Sequence, residues 1–137
     1  NELAMGTGST PATTLTIANT ASIAIRHYWY VPANITIQAV HCLAGADAAG
    51  GDTFKFSVMS YTVDTGNGST GGDLSSGVEN CASPSTISGA GREQIYYQSL
   101  TINNADVDAG KVILVCVAQD GNTADLSLNM QILYNLR

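Results

Sequence analysis

From Ser22 onward, apolar and polar residues alternate with a period of two, which is the pattern of strands that bury one face. Ile23, Ile25, His27, Trp29 and Val31 fall on one side of the first such segment, with Ala24, Arg26, Tyr28 and Tyr30 on the other. Pro32 ends the segment because it has no backbone donor. Ile35, Ile37, Ala39, His41 and Leu43 then alternate with Thr36, Gln38, Val40 and Cys42, and Ala46 to Asp52 reads as a turn. In 53–63, Phe54, Phe56 and Val58 oppose Lys55, Ser57, Met59 and Tyr61. In 94–102, Ile95, Tyr97 and Ser99 oppose Tyr96, Gln98 and Leu100. Within 111–119, the run from Val112 to Ala118 is continuously apolar, as expected of a central strand covered on both faces. Asp120-Gly121-Asn122 is a hairpin signal, and beyond it Leu126, Leu128, Met130 and Ile132 alternate with Ser127, Asn129 and Gln131.

Two stretches lack this period. Residues 1–20 hold six threonines, Gly6, Gly8 and Pro11, and read as an extended N-terminal arm. Within it, Leu15 and Ile17 are suited to a short edge strand that a neighbouring subunit would pin. Residues 64–91 are almost entirely Gly, Ser, Thr, Asn, Asp and Ala, and only Val78 to Ala82 is suited to a strand. A loop of this length is uncommon in a small domain and is often functional or mobile. A short helical turn is expected near 104–109. The pattern therefore predicts an all-β fold, a β-sandwich or jelly roll of about seven to eight antiparallel strands. It comprises an arm at 1–20 and a single domain at 21–137 with a long loop at 64–91.

Composition sharpens this picture. A chain of 137 residues buries about two-thirds of its surface on folding, enough for a core without disulfides or metals. Charged residues make up only 12%, and Ser, Thr and Asn supply 36 positions. Acids outnumber bases 11 to 5 and the bases are scattered, so no basic patch exists to neutralise phosphates and nucleic acid is not an expected partner. No apolar run reaches the 18 or so residues of a membrane span, and no leader-like segment is evident. Cys42, Cys81 and Cys116 form no paired framework. Cys42 and Cys116 lie in apolar strand patterns and read as small buried hydrophobes, which suits a reducing compartment.

Each candidate for chemistry has a plainer reading. Asp64-Thr65-Gly66 matches the triplet of aspartic proteases, where two aspartates share a proton across a dimer axis. The residues after it, Asn67-Gly68, depart from that pattern, and a turn closing the preceding strand accounts for it. Asp106-Val107-Asp108-Ala109-Gly110 opens like a calcium loop, but Val117 stands where a bidentate Glu is required, so an acidic turn is expected. His27 and His41 lack zinc-ligand spacing, and His41 and Cys42 point to opposite faces. Asn34-Ile35-Thr36 and Asn67-Gly68-Ser69 match the glycosylation sequon, which matters only for a protein secreted from a eukaryote. No catalytic residue, cofactor or metal site is expected. The aromatic cluster Tyr28-Trp29-Tyr30 is the strongest binding candidate, for a subunit contact or a sugar ring. The alternative is that Trp29 belongs to the core and the tyrosines pack the other face of the sheet.

The segments Tyr28-Trp29-Tyr30-Val31-Pro32-Ala33-Asn34, Phe54-Lys55-Phe56-Ser57-Val58 with Tyr61, Gly72-Asp73-Leu74-Ser75-Ser76-Gly77, and the run from Ile102 to Tyr134 resemble small virion proteins of marine and cyanobacterial tailed phages. The resemblance covers roughly residues 27–137 and leaves the arm outside. It implies a non-enzymatic structural protein made in the host cytoplasm and carried on the capsid surface. There it would act as a decoration (cement) protein that stabilises the mature shell, with the major capsid protein and its own copies, as a homotrimer, for partners. The alternative it implies is a tail-fibre or spike module that binds a host receptor or glycan. The interface candidates are Leu15, Ile17, Tyr28, Trp29 and Tyr30. On this reading the low charge is that of a surface to be shared, since Ser, Thr and Asn cost less to bury at a contact than Lys or Glu.

Overall fold

The period-two segments form strands, and every pairing between them is antiparallel. The structure is a computed structural model that describes residues 4–6, 23–47, 53–64, 66, 77–88, 93–120 and 125–137. Among the described residues there is no helix, and there are eleven strands. The long ones are β2 (Ile23–Tyr30), β3 (Ile35–Asp47), β4 (Thr53–Thr62), β7 (Glu93–Ser99), β10 (Lys111–Asp120) and β11 (Asp125–Leu136). The short ones are β1 (Ala4–Gly6), β5 (Val78–Ala82), β6 (Ile87–Ser88), β8 (Thr101–Ile102) and β9 (Asp106–Val107). β5 is the strand expected inside the 64–91 loop, and β6 is a second one there. β9 and the turn after it occupy the place of the expected helical turn, and Gly110 holds that turn at a φ of 85°. The arm contributes β1 to the edge of β2; Leu15 and Ile17 lie outside the described residues.

Two sheets face each other. One has the order β1-β2-β10-β4-β5-β8, with β6 also on β4; the other has the order β11-β3-β7, with β9 also on β3. β10 sits between β2 and β4, two strands far earlier in the chain. Such interleaving is a feature of Greek-key and jelly-roll sandwiches. The core lies between the sheets and takes Phe56, Val58, Ile113 and Val117 from the first and Ile35, Ile37, Val40, Cys42 and Ala44 from the second. Residues 93–107 bind the layers together. They run as β7 in the second sheet, cross at buried Leu100 to pair with β5 as β8, and return to β3 as β9.

Three bulges decide which residues face this core, and the alternation read from sequence misses them. A bulge inserts one residue and reverses the facing of everything beyond it. In β3 the extra residue is Gln38, since Ile37 pairs with Tyr134 and Ala39 with Leu133. Ile35 and Ile37 face inward as expected, but beyond the bulge Val40, Cys42 and Ala44 are buried while Leu43 is turned outward. In β2 the extra residue is Arg26, between His27 opposite Val115 and Ile25 opposite Cys116, so the expected single face from Ile23 to Val31 is broken. In β5 it is Asn80, between Cys81 opposite Val58 and Glu79 opposite Met59. Asn80 is fully buried and anchors the turn after β8. Its carbonyl accepts the Asn103 and Asn104 N–H groups, and its Nδ2 donates to the Asn104 carbonyl at 3.0 Å.

The first sheet is covered on both faces along β4 and β10, as the apolar run of β10 requires. Met59, Tyr61, Leu114 and Cys116, all buried, form a second cluster on the side away from the main core, with Val112 packed against it. Buried Gly77 approaches the Tyr61 ring so closely that a Cβ there would stand 2.6 Å from Cζ and 2.9 Å from the hydroxyl oxygen. Beyond β5 the ladder continues through Ser83, whose N–H donates to the Phe56 carbonyl at 2.8 Å while its Oγ accepts the Phe56 N–H at 2.7 Å.

Candidate interaction surface

The motifs that suggested chemistry are absorbed by structure. Asp64 accepts the Gly66 N–H on Oδ1 at 2.7 Å, and Gly66 has a φ of 100°, so the Asp-Thr-Gly triplet makes a turn of the Asx kind. The Asp106 and Asp108 carboxylates meet the guanidinium of Arg137, which lies 2.7 Å from Asp108 Oδ1 and 3.5 Å from Asp106 Oδ2. Thr36 Oγ1 donates to Asp106 Oδ1 at 2.7 Å. Asn34 completes this corner: its Oδ1 accepts the Ala109 N–H and its carbonyl accepts the Arg137 N–H. The turn flagged as a partial calcium loop is thus an ion-paired corner. Because these charges are largely exposed, Arg137→Ala is expected to cost at most about 1 kcal/mol in urea unfolding, with the difference vanishing at high salt. A loss that persists at high salt would show that the guanidinium acts by packing instead.

Cys42, Cys81 and Cys116 are all free and buried. Burial pushes each thiol from 9.0 up to about 12, with a further rise at Cys42 from the neighbouring Cys81 and at Cys81 from Glu79. At neutral pH these groups are thiols rather than the thiolates that attack or bind metal. Among the described residues no group of three or more His, Cys, Asp and Glu is placed to hold a metal ion.

What the molecule presents instead is a face. On the outer side of the second sheet, register aligns Ile95 with Gly45, Tyr97 with Leu43 and Asn129, Ser99 with His41 and Gln131, and Ala39 with Leu133. Ile95 is 74% exposed, Tyr97 59%, Leu43 46% and Leu133 42%. The rings of His41 and Tyr97 stack with centroids 5.9 Å apart and planes 19° apart. The Tyr97 hydroxyl also shares a hydrogen bond with His41 Nδ1 at 2.9 Å. Among the described residues, this face holds no Asp, Glu, Lys or Arg between the Gly45 and Thr36 positions of β3. An uncharged face that exposes several large apolar side chains on a chain with net charge −6 is the candidate interaction surface, because apolar side chains gathered on one exposed face mark contact sites.

Sequence reasoning did not nominate this patch. The signal was present in the alternation of Ile95, Tyr97 and Ser99, but the Gln38 bulge had to be known before Leu43 and His41 could join them. Of the residues it did nominate, Tyr28 and Tyr30 are exposed on the outer side of the first sheet, opposite Leu114 and Val112. Trp29 turns inward. It packs against the core and meets the Tyr134 ring at a centroid distance of 5.0 Å with the planes tilted by 43°, closing the side of the sandwich where β2 and β11 lie. No protein-family model, curated protein or solved structure matches this chain.

Proposed function

We propose that this protein is a non-enzymatic virion structural protein, a capsid decoration or cement protein, that docks on the shell through the outer face of its second sheet. The observation that carries this reading is the uncharged face built around Leu43, Ile95 and Tyr97. The resemblance of residues 27–137 to small tailed-phage virion proteins supplies the setting. A rigid antiparallel sandwich with its thiols buried suits a protein that binds and does no chemistry. Binding that is favourable only to the expanded lattice would stabilise the mature shell by mass action.

The test is binding of the purified chain to expanded capsids. Leu43→Glu with Ile95→Glu places two charges on the face at exposed positions, where substitutions change stability by about 0.5 kcal/mol or less. Binding is expected to fall at least tenfold with the melting temperature held, whereas Tyr28→Ala with Tyr30→Ala leaves binding intact. Unchanged binding of the charged variant would sink the reading. Tyr28 and Tyr30, exposed two residues apart on one face, favour a second reading, a tail-fibre or spike module that stacks on a glycan. Electron cryo-microscopy of the particle separates the two: many copies on the head mean decoration, and a few on the tail mean a fibre.

A further inference from the structure

β11 runs along β3 for twelve residues, and among the described residues no strand pairs with its other edge. Proteins protect such an edge with Lys, Pro, short length, a bulge or a cover. β11 is long and contains neither Lys nor Pro, and the bulge in its ladder lies on β3. The Arg137 N–H donates to the Asn34 carbonyl on the β3 side. By alternation, the even-numbered residues of β11 turn their backbone donors and acceptors to the unpaired edge. Leu133, Tyr134 and Leu136 are exposed along it, Leu136 at 74%.

The sequence of this edge is complementary to itself. Antiparallel pairing about a two-fold axis at Gln131 sets Leu126, Leu128 and Met130 of one copy opposite Leu136, Tyr134 and Ile132 of the other. On the opposite face, Asn129 meets Leu133, Ser127 meets Asn135, and Asp125 meets Arg137. Apolar positions of the even-numbered set thus meet apolar ones, and at each end the acidic position 125 lies opposite Arg137, whose guanidinium also serves Asp106 and Asp108 of its own chain. A strand in register with its own inverse is what an isologous interface requires.

We propose that two copies of this chain associate through β11, antiparallel about a two-fold axis at Gln131, to join their second sheets into one. The dimer gives exposed Leu136 and Tyr134 apolar neighbours and satisfies the backbone groups of both edges. It leaves Leu43, Ile95 and Tyr97 open on the joined face, so it stands whether or not the capsid reading does. It is an alternative to the three-fold association that the family resemblance implies.

The test uses the full chain and sedimentation equilibrium. Asn129, Gln131 and Leu133 are exposed, so charges there are solvated in the monomer, while in the dimer they face one another across the axis. The triple variant Asn129→Lys, Gln131→Lys, Leu133→Lys, and its counterpart with three Glu, are each expected to self-associate at least about tenfold more weakly than the unaltered chain. An equimolar mixture is expected to form the mixed dimer. Both variants should keep the melting profile of the unaltered chain when measured as monomers. A monomeric or trimeric unaltered chain would overturn the proposal, as would two triple variants that still dimerise alone and do not prefer each other.

Discussion

Gly77→Ala is expected to destabilise the protein by about 3 kcal/mol, at the upper end of the usual cost of overpacking. The new methyl would fall on the Tyr61 ring, 2.6 Å from Cζ and closer still to Cε1. The ring cannot move aside, because Tyr61 is fully buried among Met59, Leu114 and Cys116. Chemical denaturation read by fluorescence measures the loss, and a double-mutant cycle tests its cause. Tyr61→Leu alone also destabilises, by emptying volume from the second cluster. Combined with Gly77→Ala, it should give a total loss smaller than the sum of the two by at least about 1 kcal/mol, since the shorter side chain makes room for the methyl. Strict additivity would mean that the alanine acts through the backbone of 77 and not through the ring.

The second large effect is loss of stability in alkali. Each buried thiol is raised from 9.0 to about 12 in the folded state. Between these values the unfolded chain releases protons that the folded chain retains. Stability contributed by these groups is therefore complete below pH 9 and is lost as pH rises toward 12. Cys116, fully buried, alone costs about 1.4 kcal/mol for each pH unit above 9. Cys42 and Cys81 act in the same direction. Tyr61, raised from 10.0 to about 12 mainly by burial, joins them at higher pH. Set against a domain stability of about 5–15 kcal/mol, this is a substantial share of the total. Urea titrations under reducing conditions at a series of pH values should show stability level from neutrality to about 9 and falling steeply above it. Replacing all three cysteines by alanine lowers the neutral-pH value through the small cavities left behind, but it should flatten the alkaline slope. Equal slopes in the two proteins would assign the alkaline loss to other groups.

The strands themselves were legible. Alternation located β3, β4, β7 and β11 to within a few residues, because half-buried strands must alternate, while a continuous apolar run located β10 and a short break in a Gly- and Ser-rich stretch located β5. The uninterrupted apolar run of β10 announced two covered faces, and both are present. Cys42 and Cys116 read as buried hydrophobes, and the chemistry of Asp64 and Asp106 read as turns; that Cys81 is buried as well came only with the structure. What misled was the assumption that alternation continues unbroken. Arg26, Gln38 and Asn80 carry no local mark of a bulge, since a bulge is a mismatch between two strands and belongs to neither alone.

The sequence by itself determined an antiparallel all-β chain, its principal strands, the burial of Cys42 and Cys116 and its shortage of charge, because each of these follows from short-range periodicity or composition. Only the tertiary structure decided which side of each strand is covered. It took the pairing of β3 with β11 to place Leu43 outside and Cys42 within, and the pairing with β7 to bring Ile95 and Tyr97 beside Leu43 and His41. The partner of Arg137 and the unpaired edge of β11 likewise depend on contacts between residues far apart in the chain. Such contacts are set by the register between strands, which a one-residue slip reverses.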